Sequence, residues 1–352
     1  MPEVRGNPQG KNRIPELDYL RGFAALSVVT FHYFFKGPTS GYIQSPTFGL
    51  LTDVAGYGYL GVNLFFIISG FVIAMSLENV TALEFFKARA IRLFPAMWVC
   101  ATITAIAIAV LTPKIFPLSN WLASLTLVPE WLGYSGVDSA YWSLRIEVQF
   151  YLAVGLFIAL GRFRSAPLVI GIWLTASAAN LVFPIWRLDF LLCLTWAPYL
   201  CAGILFYNWY SFGLNRLSYI GLLFSLVLCI GYGFKSATKD GYEIAWISCF
   251  IIVIFFAVFT FLCVRKSCAK STTLSQFLGV VTYPLYLLHQ TLGYAIFDAV
   301  ASASRGLTQA QSLIVLSSVF TAMIAATYAV QGGLIRMIDR KLRFLLYYDL
   351  RK

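Results

Sequence analysis

The chain has 352 residues, of which 59% are hydrophobic and only 12% are charged. A domain folded in water needs far more polar surface, so the composition excludes a soluble globular protein and predicts an integral membrane protein. The formal net charge of +11 would suit a nucleic-acid partner, but the placement of the charges along the chain has another explanation.

Apolar runs long enough to cross a bilayer as helices recur from one end of the chain to the other. They predict an all-α, polytopic membrane helix bundle of about ten transmembrane helices, with both termini on the same side. The predicted spans are 17–36, 58–77, 92–112, 141–161, 166–184, 190–209, 215–234, 244–264, 278–298 and 308–335.

The connections between these spans differ strongly in basic residues. One set of loops, together with both termini, carries most of the lysines and arginines. The opposite set carries only Lys36, Lys114, Arg187, Lys235, Lys239 and Arg305. By the positive-inside rule both termini are cytoplasmic. The basic excess is therefore mostly topological, and we expect the lipid bilayer, not a nucleic acid, as a partner.

The chain divides into three predicted parts. Residues 1–16 lack an apolar core and a cleavage site, and they are predicted to be a cytosolic tail. Residues 17–335 form one membrane domain, and residues 336–352 form a basic amphipathic segment against the inner leaflet. The outward loops 37–57 and 113–140 are the longest, and the second reads as a re-entrant or interfacial piece.

Cysteines and histidines show no metal-binding pattern. The seven cysteines form no CxxC pair, and the chain has only two histidines, far apart in sequence. We therefore expect no metal site and no disulfide framework. No sequence feature specifies an oligomeric state.

A titratable group at membrane depth costs at least about 2.5 kcal/mol, so each one is a candidate for function. Five such groups lie within the predicted spans, and Asp18 lies at the rim of the first. The five are Arg21, His32, Arg145, Glu147 and His289.

The first span carries two of these groups on one face. Arg21 and His32 are eleven residues apart, about three helical turns, or roughly 16 Å along the axis. Asp18 shares this face and can hold the Arg21 guanidinium. The face thus offers a cation for an anionic ligand at the inner end and a base at the outer end. A snorkelling arginine and a packing histidine are the alternative interpretation.

Glu147 lies roughly 9 Å below the outer surface on the fourth span, at a depth comparable to His32. A base and a carboxylate at one level predict that Glu147 orients the imidazole of His32. Arg145 points to the other side of that helix. A purely structural interhelical contact of Glu147 is the alternative.

Two further features of the sequence each allow both a structural and a functional interpretation. His289, on the ninth span, suits a hydrogen-bonded core histidine as well as a catalytic one. Arg89 and Arg92, in a predicted cytoplasmic loop beside Lys87, could grip phosphates bidentately, although cations before a span are usually topogenic.

Five stretches together resemble the acyltransferase-3 family of integral membrane O-acyltransferases, nearly end to end. Each is loose by itself, but all five occur in the family's order. They are "ELDYLRGFAALSVVTFH", "GYLGVNLFFIISGFVIAMSL", "FFKARAIRLFPAMW", "YWSLRIEVQFYL" and "VTYPLYLLHQ".

The resemblance implies an enzyme that moves an acyl group, most commonly acetyl, from cytoplasmic acyl-CoA to an outer hydroxyl. The acceptor would be a saccharide or lipid-linked glycan, and the location a bacterial inner membrane. Arg21, Arg89 and Arg92 would bind the CoA phosphates, with Asp18 beside Arg21. His32 would be the catalytic base and Glu147 its partner. The candidate oxyanion donors, whose sequence signal is the weakest, are Ser143, Tyr141 and His289.

The chain departs from the family pattern at several positions. Asn63 and Val148 stand where acidic residues are frequent, Arg145 stands where a small residue is usual, and "VQGGLIR" lacks the usual glutamate and proline. The alternative function is a transporter or flippase of a glycolipid or polyol, whose buried charges would line a gated path. A structural or sensing membrane protein is a third interpretation.

Overall fold

The computed structural model describes residues 13–77, 80–112, 116–161, 166–239, 245–266, 270–304 and 306–348, and within them the regular structure is entirely helical. The helices of the first half are α1 (Pro15–Phe31), α2 (Leu50–Gly56), α3 (Gly61–Met75), α4 (Ala82–Leu111), α5 (Leu118–Ser124), α6 (Trp142–Ala159) and α7 (Ala166–Val182). Those of the second half are α8 (Trp186–Leu192), α9 (Ala197–Phe212), α10 (Arg216–Lys239), α11 (Ala245–Arg265), α12 (Thr273–Leu288), α13 (Thr291–Ala303), α14 (Gln309–Val330) and α15 (Arg336–Tyr348).

Seven helical segments of the described chain are long and apolar enough to cross a membrane. They are Leu50–Met75, Ala82–Leu111, Ser139–Ala159, Trp186–Phe212, Arg216–Thr238, Ala245–Arg265 and Gln309–Tyr347. Three shorter apolar helices are α7, α12 and α13. The protein is therefore a multi-pass membrane protein. All ten predicted spans overlap helical structure, but ten crossings and cytoplasmic termini remain a prediction.

The predicted start of the third span is wrong by ten residues. Helix α4 begins at Ala82, because Thr81 and Glu84 form a reciprocal capping box: the Glu84 amide donates to the Thr81 hydroxyl, and the Thr81 amide donates to the Glu84 carboxylate. Arg89 and Arg92 are consequently fixed on a long helix and do not lie in a loop.

Two predicted continuous spans are interrupted. The span 190–209 breaks between α8 and α9, where Cys193 adopts a left-handed conformation with φ of 52°. The span 278–298 breaks at His289 and Gln290, between α12 and α13. Both breaks expose backbone groups that must find partners inside the protein, because lipid offers none.

Hydrogen bonds show which helix ends lie together. At one end of the bundle, the Tyr19 hydroxyl of α1 lies 2.6 Å from the Thr272 hydroxyl that caps α12. At the other end, the Tyr33 hydroxyl donates to the His289 carbonyl oxygen at 2.8 Å. We call the first the basic end, since Arg21 lies near it, and the second the histidine end.

Helix α15 packs at the basic end. The Lys87 ammonium donates to the Leu346 carbonyl oxygen at 2.6 Å, near the end of α15. Met337, Phe344 and Leu345 are exposed on this basic helix. The predicted amphipathic segment is thus helical over Arg336–Tyr348, and residues 349–352 lie outside the described chain.

Helices α3 and α9 cross with their backbones in contact. A Cβ atom placed on Gly70 would lie 2.1 Å from the Leu200 carbonyl oxygen, and one on Gly203 would lie 2.1 Å from the Ile67 carbonyl oxygen. In a membrane such close approach substitutes for hydrophobic driving force, because dispersion contacts between backbones increase.

We expect Gly203→Val to destabilise the bundle by about 3 kcal/mol or more, because the new side chain would overlap the backbone of α3. Thermal unfolding in detergent micelles measures the effect. Gly171→Ala is the matched control, since a Cβ there meets nothing within 4 Å. Equal melting temperatures of wild type and Gly203→Val would contradict the packing.

Candidate active site

A cavity of about 100 Å³ lies in the centre of the bundle, between α1, α3, α4, α6 and α12. Its lining combines three guanidinium groups and one carboxylate with six hydroxyl side chains and an apolar wall. The polar lining residues used below are Arg21, Arg89, Arg92, Glu147, Ser143 and Tyr286. Five predicted site residues from three separate sequence regions therefore share one cavity.

Arg21 is held from behind by the predicted ion pair with Asp18. The Arg21 Nη1 atom lies 3.3 Å from Asp18 Oδ1, and Arg13, which sequence reasoning missed, lies 2.7 Å from Asp18 Oδ2. Asp18 is buried and does not line the cavity. It thus positions Arg21, and its own charge is balanced by two arginines.

Arg89 and Arg92 project into the cavity from the third and fourth turns of α4. The Arg89 guanidinium lies over the rings of Phe85 and Tyr151, at 5.5 and 5.7 Å from their centroids, and its buried Nε has no hydrogen-bond partner. Arg92 is exposed. A guanidinium with a free N–H is suited to a bidentate anion such as phosphate.

Glu147 lies among these arginines. Its carboxylate accepts a hydrogen bond from the Tyr151 hydroxyl, one turn further along α6. Arg145, two residues earlier, points elsewhere as predicted: its Nε donates to Glu130, and its Nη1 donates to Gln149 and to the Phe190 carbonyl oxygen. The carboxylate therefore belongs to the cationic end of the cavity.

Ser143 and Tyr286 close the opposite end of the cavity. Their hydroxyl oxygens are 2.6 Å apart, and the Tyr286 hydroxyl also lies 3.0 Å from the Ala140 carbonyl oxygen. Tyr141 does not join them: its hydroxyl donates to the Leu287 carbonyl oxygen, and it is absent from the lining. Ser143 and Tyr286 thus contribute hydroxyl groups to the cavity lining, and Tyr141 does not.

The two histidines meet, although 256 residues separate them. Their ring centroids are 4.9 Å apart, with the planes tilted by 59°. His289 is fully buried, its Nδ1 donates to the Tyr286 carbonyl oxygen at 2.8 Å, and its Nε2 has no partner. Neutral His289 thus has no second N–H for an oxyanion, contrary to one of its predicted roles.

The predicted contact between His32 and Glu147 is wrong. His32 Nδ1 lies 3.2 Å from the Tyr294 hydroxyl, while Glu147 is bonded by Tyr151, and no hydrogen bond joins the two across the described residues. Equal depth on two helices does not fix the direction in which each side chain points. Glu147 faces the arginines, and His32 faces His289.

The break beside His289 is braced by the loop that precedes α6. The Asp138 carboxylate accepts from the amides of Ala140 and Thr291, both at 2.8 Å. The Gln290 side-chain amide donates to the Ser139 hydroxyl at 2.6 Å. The predicted re-entrant piece 113–140 thus contributes, at its end, the polar groups that an interrupted membrane helix requires.

We expect Asp138→Ala to lower the stability of the protein by about 1–3 kcal/mol for each buried amide left without an acceptor. The melting temperature in detergent measures the loss. Asp53→Ala is the control, because Asp53 is exposed and its change should stay within about 0.5 kcal/mol. A melting temperature for Asp138→Ala equal to that of the control would refute the bracing role.

Sequence reasoning missed Arg13, Asp138, Tyr151 and Tyr294 as site residues. The contact of Tyr151 with Glu147 could have been predicted from the sequence, because the two residues lie one helical turn apart. Asp138 and Tyr294 carry no local signal, since their partners Thr291 and His32 are more than 150 residues away.

These features define a polytopic helical membrane protein with an arginine-lined cavity, one lining residue of which, Tyr286, accepts a hydrogen bond from one of two adjacent imidazoles. The chain belongs to the acyltransferase-3 family: the family's acyltransferase domain matches residues 14–331. No solved structure matches this chain.

Three curated relatives illustrate the similarity. The exopolysaccharide production protein ExoZ of Rhizobium meliloti strain 1021 is 27% identical over 244 residues, covering 66% of this chain and 75% of ExoZ. The acyltransferase MdmB of Streptomyces mycarofaciens is 31% identical over 163 residues, or 43% of this chain and 40% of MdmB. The O-acetyltransferase OatA of Staphylococcus aureus strain NCTC 8325 is 30% identical over 174 residues, or 43% of this chain and 26% of OatA. The chain thus spans less than half the length of the last two.

Proposed function

We propose that this protein is a membrane O-acyltransferase that moves an acetyl group from cytoplasmic acyl-CoA to a hydroxyl of a saccharide or lipid-linked glycan on the outer side. One observation carries the proposal. Tyr286 lines the arginine cavity, and its carbonyl oxygen holds His289, whose ring lies against His32. A donor gripped by the arginines would therefore present its acyl end close to an imidazole.

The charge and the size of the cavity support acyl-CoA as the donor. Arg21, Arg89 and Arg92 offer guanidinium groups at the basic end, where a phosphate-bearing molecule would enter, and Glu147 balances part of this charge until it arrives. The cavity of about 100 Å³ has room for several water-sized groups, which suits a small acyl group at the end of an extended arm.

The orientation of the reaction follows from the loop charges. If the positive-inside rule holds, the basic end is cytoplasmic and the histidine end faces outward, in the cytoplasmic membrane of a bacterium. Since acyl-CoA is made inside the cell, the arginines meet the donor, and His32 meets an acceptor that arrives from outside.

The acceptor class comes from the relatives. ExoZ is an exopolysaccharide production protein, and OatA is an O-acetyltransferase. A saccharide hydroxyl is a weak nucleophile at neutral pH and needs a base, which His32 supplies. No metal takes part in the proposed chemistry.

In the proposed acyl transfer, every bond and every proton is accounted for by His32, the acceptor hydroxyl and the thioester. His32 Nε2 accepts the proton of the acceptor hydroxyl while the oxygen bonds to the thioester carbon. The tetrahedral oxyanion accepts a hydrogen bond from the Ser143 hydroxyl, which rotates away from its present partners while the Tyr286 hydroxyl keeps its bond to the Ala140 carbonyl oxygen. The carbon–sulfur bond then breaks, the electron pair stays on sulfur, and the imidazolium returns the proton to the thiolate.

Radiolabelled acetyl-CoA tests the function with purified protein in liposomes and a chito-oligosaccharide as the probe acceptor. We expect base-labile label on the sugar and release of one free thiol per ester formed. Consumption of neither substrate, or transport of the intact sugar without labelling, would overturn the proposal, and the second result would favour the transporter or flippase.

A further inference from the structure

The imidazole of His32 makes one hydrogen-bonding contact across the described residues, and its partner is a tyrosine. His32 Nδ1 lies 3.2 Å from the Tyr294 hydroxyl oxygen. The same hydroxyl lies 3.1 Å from the backbone carbonyl oxygen of His32, to which it can only donate. Tyr294 therefore contacts both the side chain and the backbone of one residue.

The two contacts together select a tautomer. A phenol has one proton, and we assign it to the carbonyl oxygen of His32, the shorter of the two contacts, which also accepts from the Gly37 amide. The phenol oxygen is then an acceptor for the imidazole, which places the proton of neutral His32 on Nδ1. The lone pair is left on Nε2, the nitrogen that a general base must present to its substrate.

Tyr294 is itself fixed in place, so it can hold another group. It is 8% exposed, and its ring is stacked on Tyr42 at 5.8 Å with an interplanar angle of 13°. Tyr33 packs on it from another side, at 6.5 Å between ring centroids. A side chain with so few alternative positions loses little entropy when it orients the imidazole.

We propose that Tyr294 is the positioning residue of this active site: it sets the tautomer and direction of His32, as a carboxylate does in a serine protease triad. The inference rests on the proposed function only for its catalytic consequence. The tautomer itself is a property of the folded protein, whatever reaction the protein performs.

A neutral phenol stabilises an imidazolium less than a carboxylate does. The expected loss is therefore smaller than the roughly 10⁴-fold fall in kcat when the triad aspartate of a serine protease is replaced by asparagine. We expect Tyr294→Phe to lower kcat about 10- to 100-fold, with KM for acetyl-CoA and for the chito-oligosaccharide nearly unchanged, since the ring remains and only the hydroxyl is lost.

Tyr199→Phe is the matched control. Its hydroxyl is equally buried and donates to a backbone carbonyl oxygen, that of Cys229 at 3.0 Å, but it touches neither imidazole. We expect Tyr199→Phe to keep wild-type kcat and a melting temperature similar to that of Tyr294→Phe. Wild-type kcat in Tyr294→Phe, or an equal loss in the control, would overturn the positioning role.

Nitrogen-15 NMR of histidine-labelled protein in detergent gives an independent readout. The chain has only two histidines, so the His32→Gln variant assigns both rings. We expect neutral His32 to be protonated at Nδ1 in wild type, and to lose this preference in Tyr294→Phe. Protonation at Nε2 in wild type would overturn the inference even if transfer activity is found. An inactive wild type with Nδ1 protonated would overturn the proposed function alone.

Discussion

Replacing His32 by alanine is expected to reduce acetyl transfer to the probe saccharide by about 10³-fold, within the range for removal of a general base. The neighbouring His289 is fully buried whereas His32 is partly exposed, so we do not expect His289 to replace it as the base for an incoming hydroxyl. His32→Gln should be equally inactive, since an amide keeps polarity but accepts no proton at neutral pH.

The measurement is thiol release and ester formation at saturating donor, with the melting temperature of each variant recorded in parallel. Ser27→Ala on the same helix is the control, because its hydroxyl donates only to the Phe23 carbonyl oxygen. Near wild-type transfer by a folded His32→Ala protein would remove His32 from the mechanism.

The second large effect is expected at the arginines of α4. Each charge-assisted hydrogen bond to a phosphate contributes about 1.5–3 kcal/mol, so Arg89→Gln should raise KM for acetyl-CoA about 10- to 100-fold. Arg92→Gln should act in the same direction but less strongly, because Arg92 is exposed and its charge is screened by water and salt. The value of kcat at saturating donor should change little.

Titration of the donor at several salt concentrations separates this effect from misfolding, because affinity carried by phosphate contacts falls as salt rises. Arg216→Gln is the control, since Arg216 begins α10 and is absent from the cavity lining. If donor KM in Arg89→Gln equals that of the control, the arginines do not hold the donor.

Local chemistry was predictable wherever the partners lie on one helix. Asp18 and Arg21 are three residues apart, and the predicted ion pair is present at 3.3 Å. The pairing of Arg89 with Arg92 on one face required only that the segment be helical, and the capping box at Thr81 and Glu84 makes it so. A search for that box in the sequence would have placed the helix start correctly.

The partner of His32 was not predictable in this way. The helical rise of 1.5 Å per residue predicted that Glu147 and His32 lie at a comparable depth, but the structure places Glu147 with the arginines and His32 against His289. The direction of a side chain around its helix axis depends on which helices pack beside it. That rotation places Glu147 towards Arg21 and His32 towards Tyr294.

The break in the ninth predicted span has a similar origin. His289 and Gln290 lie in an apolar stretch with no glycine or proline beside them to mark an end. The chain can open there because Asp138, from a loop some 150 residues earlier, accepts from the Thr291 amide, and the Tyr33 hydroxyl donates to the His289 carbonyl oxygen. A local sequence pattern cannot predict a hydrogen-bond partner that lies in a loop distant in sequence.

The amino-acid sequence by itself determined that this is a helical membrane protein and which residues carry charge into its helices, because hydropathy and charge are local properties. The tertiary structure alone decided that the arginines surround one cavity with Glu147, and that His32 meets His289 and Tyr294. These contacts join residues more than fifty positions apart, and only the rotation and packing of whole helices bring them together.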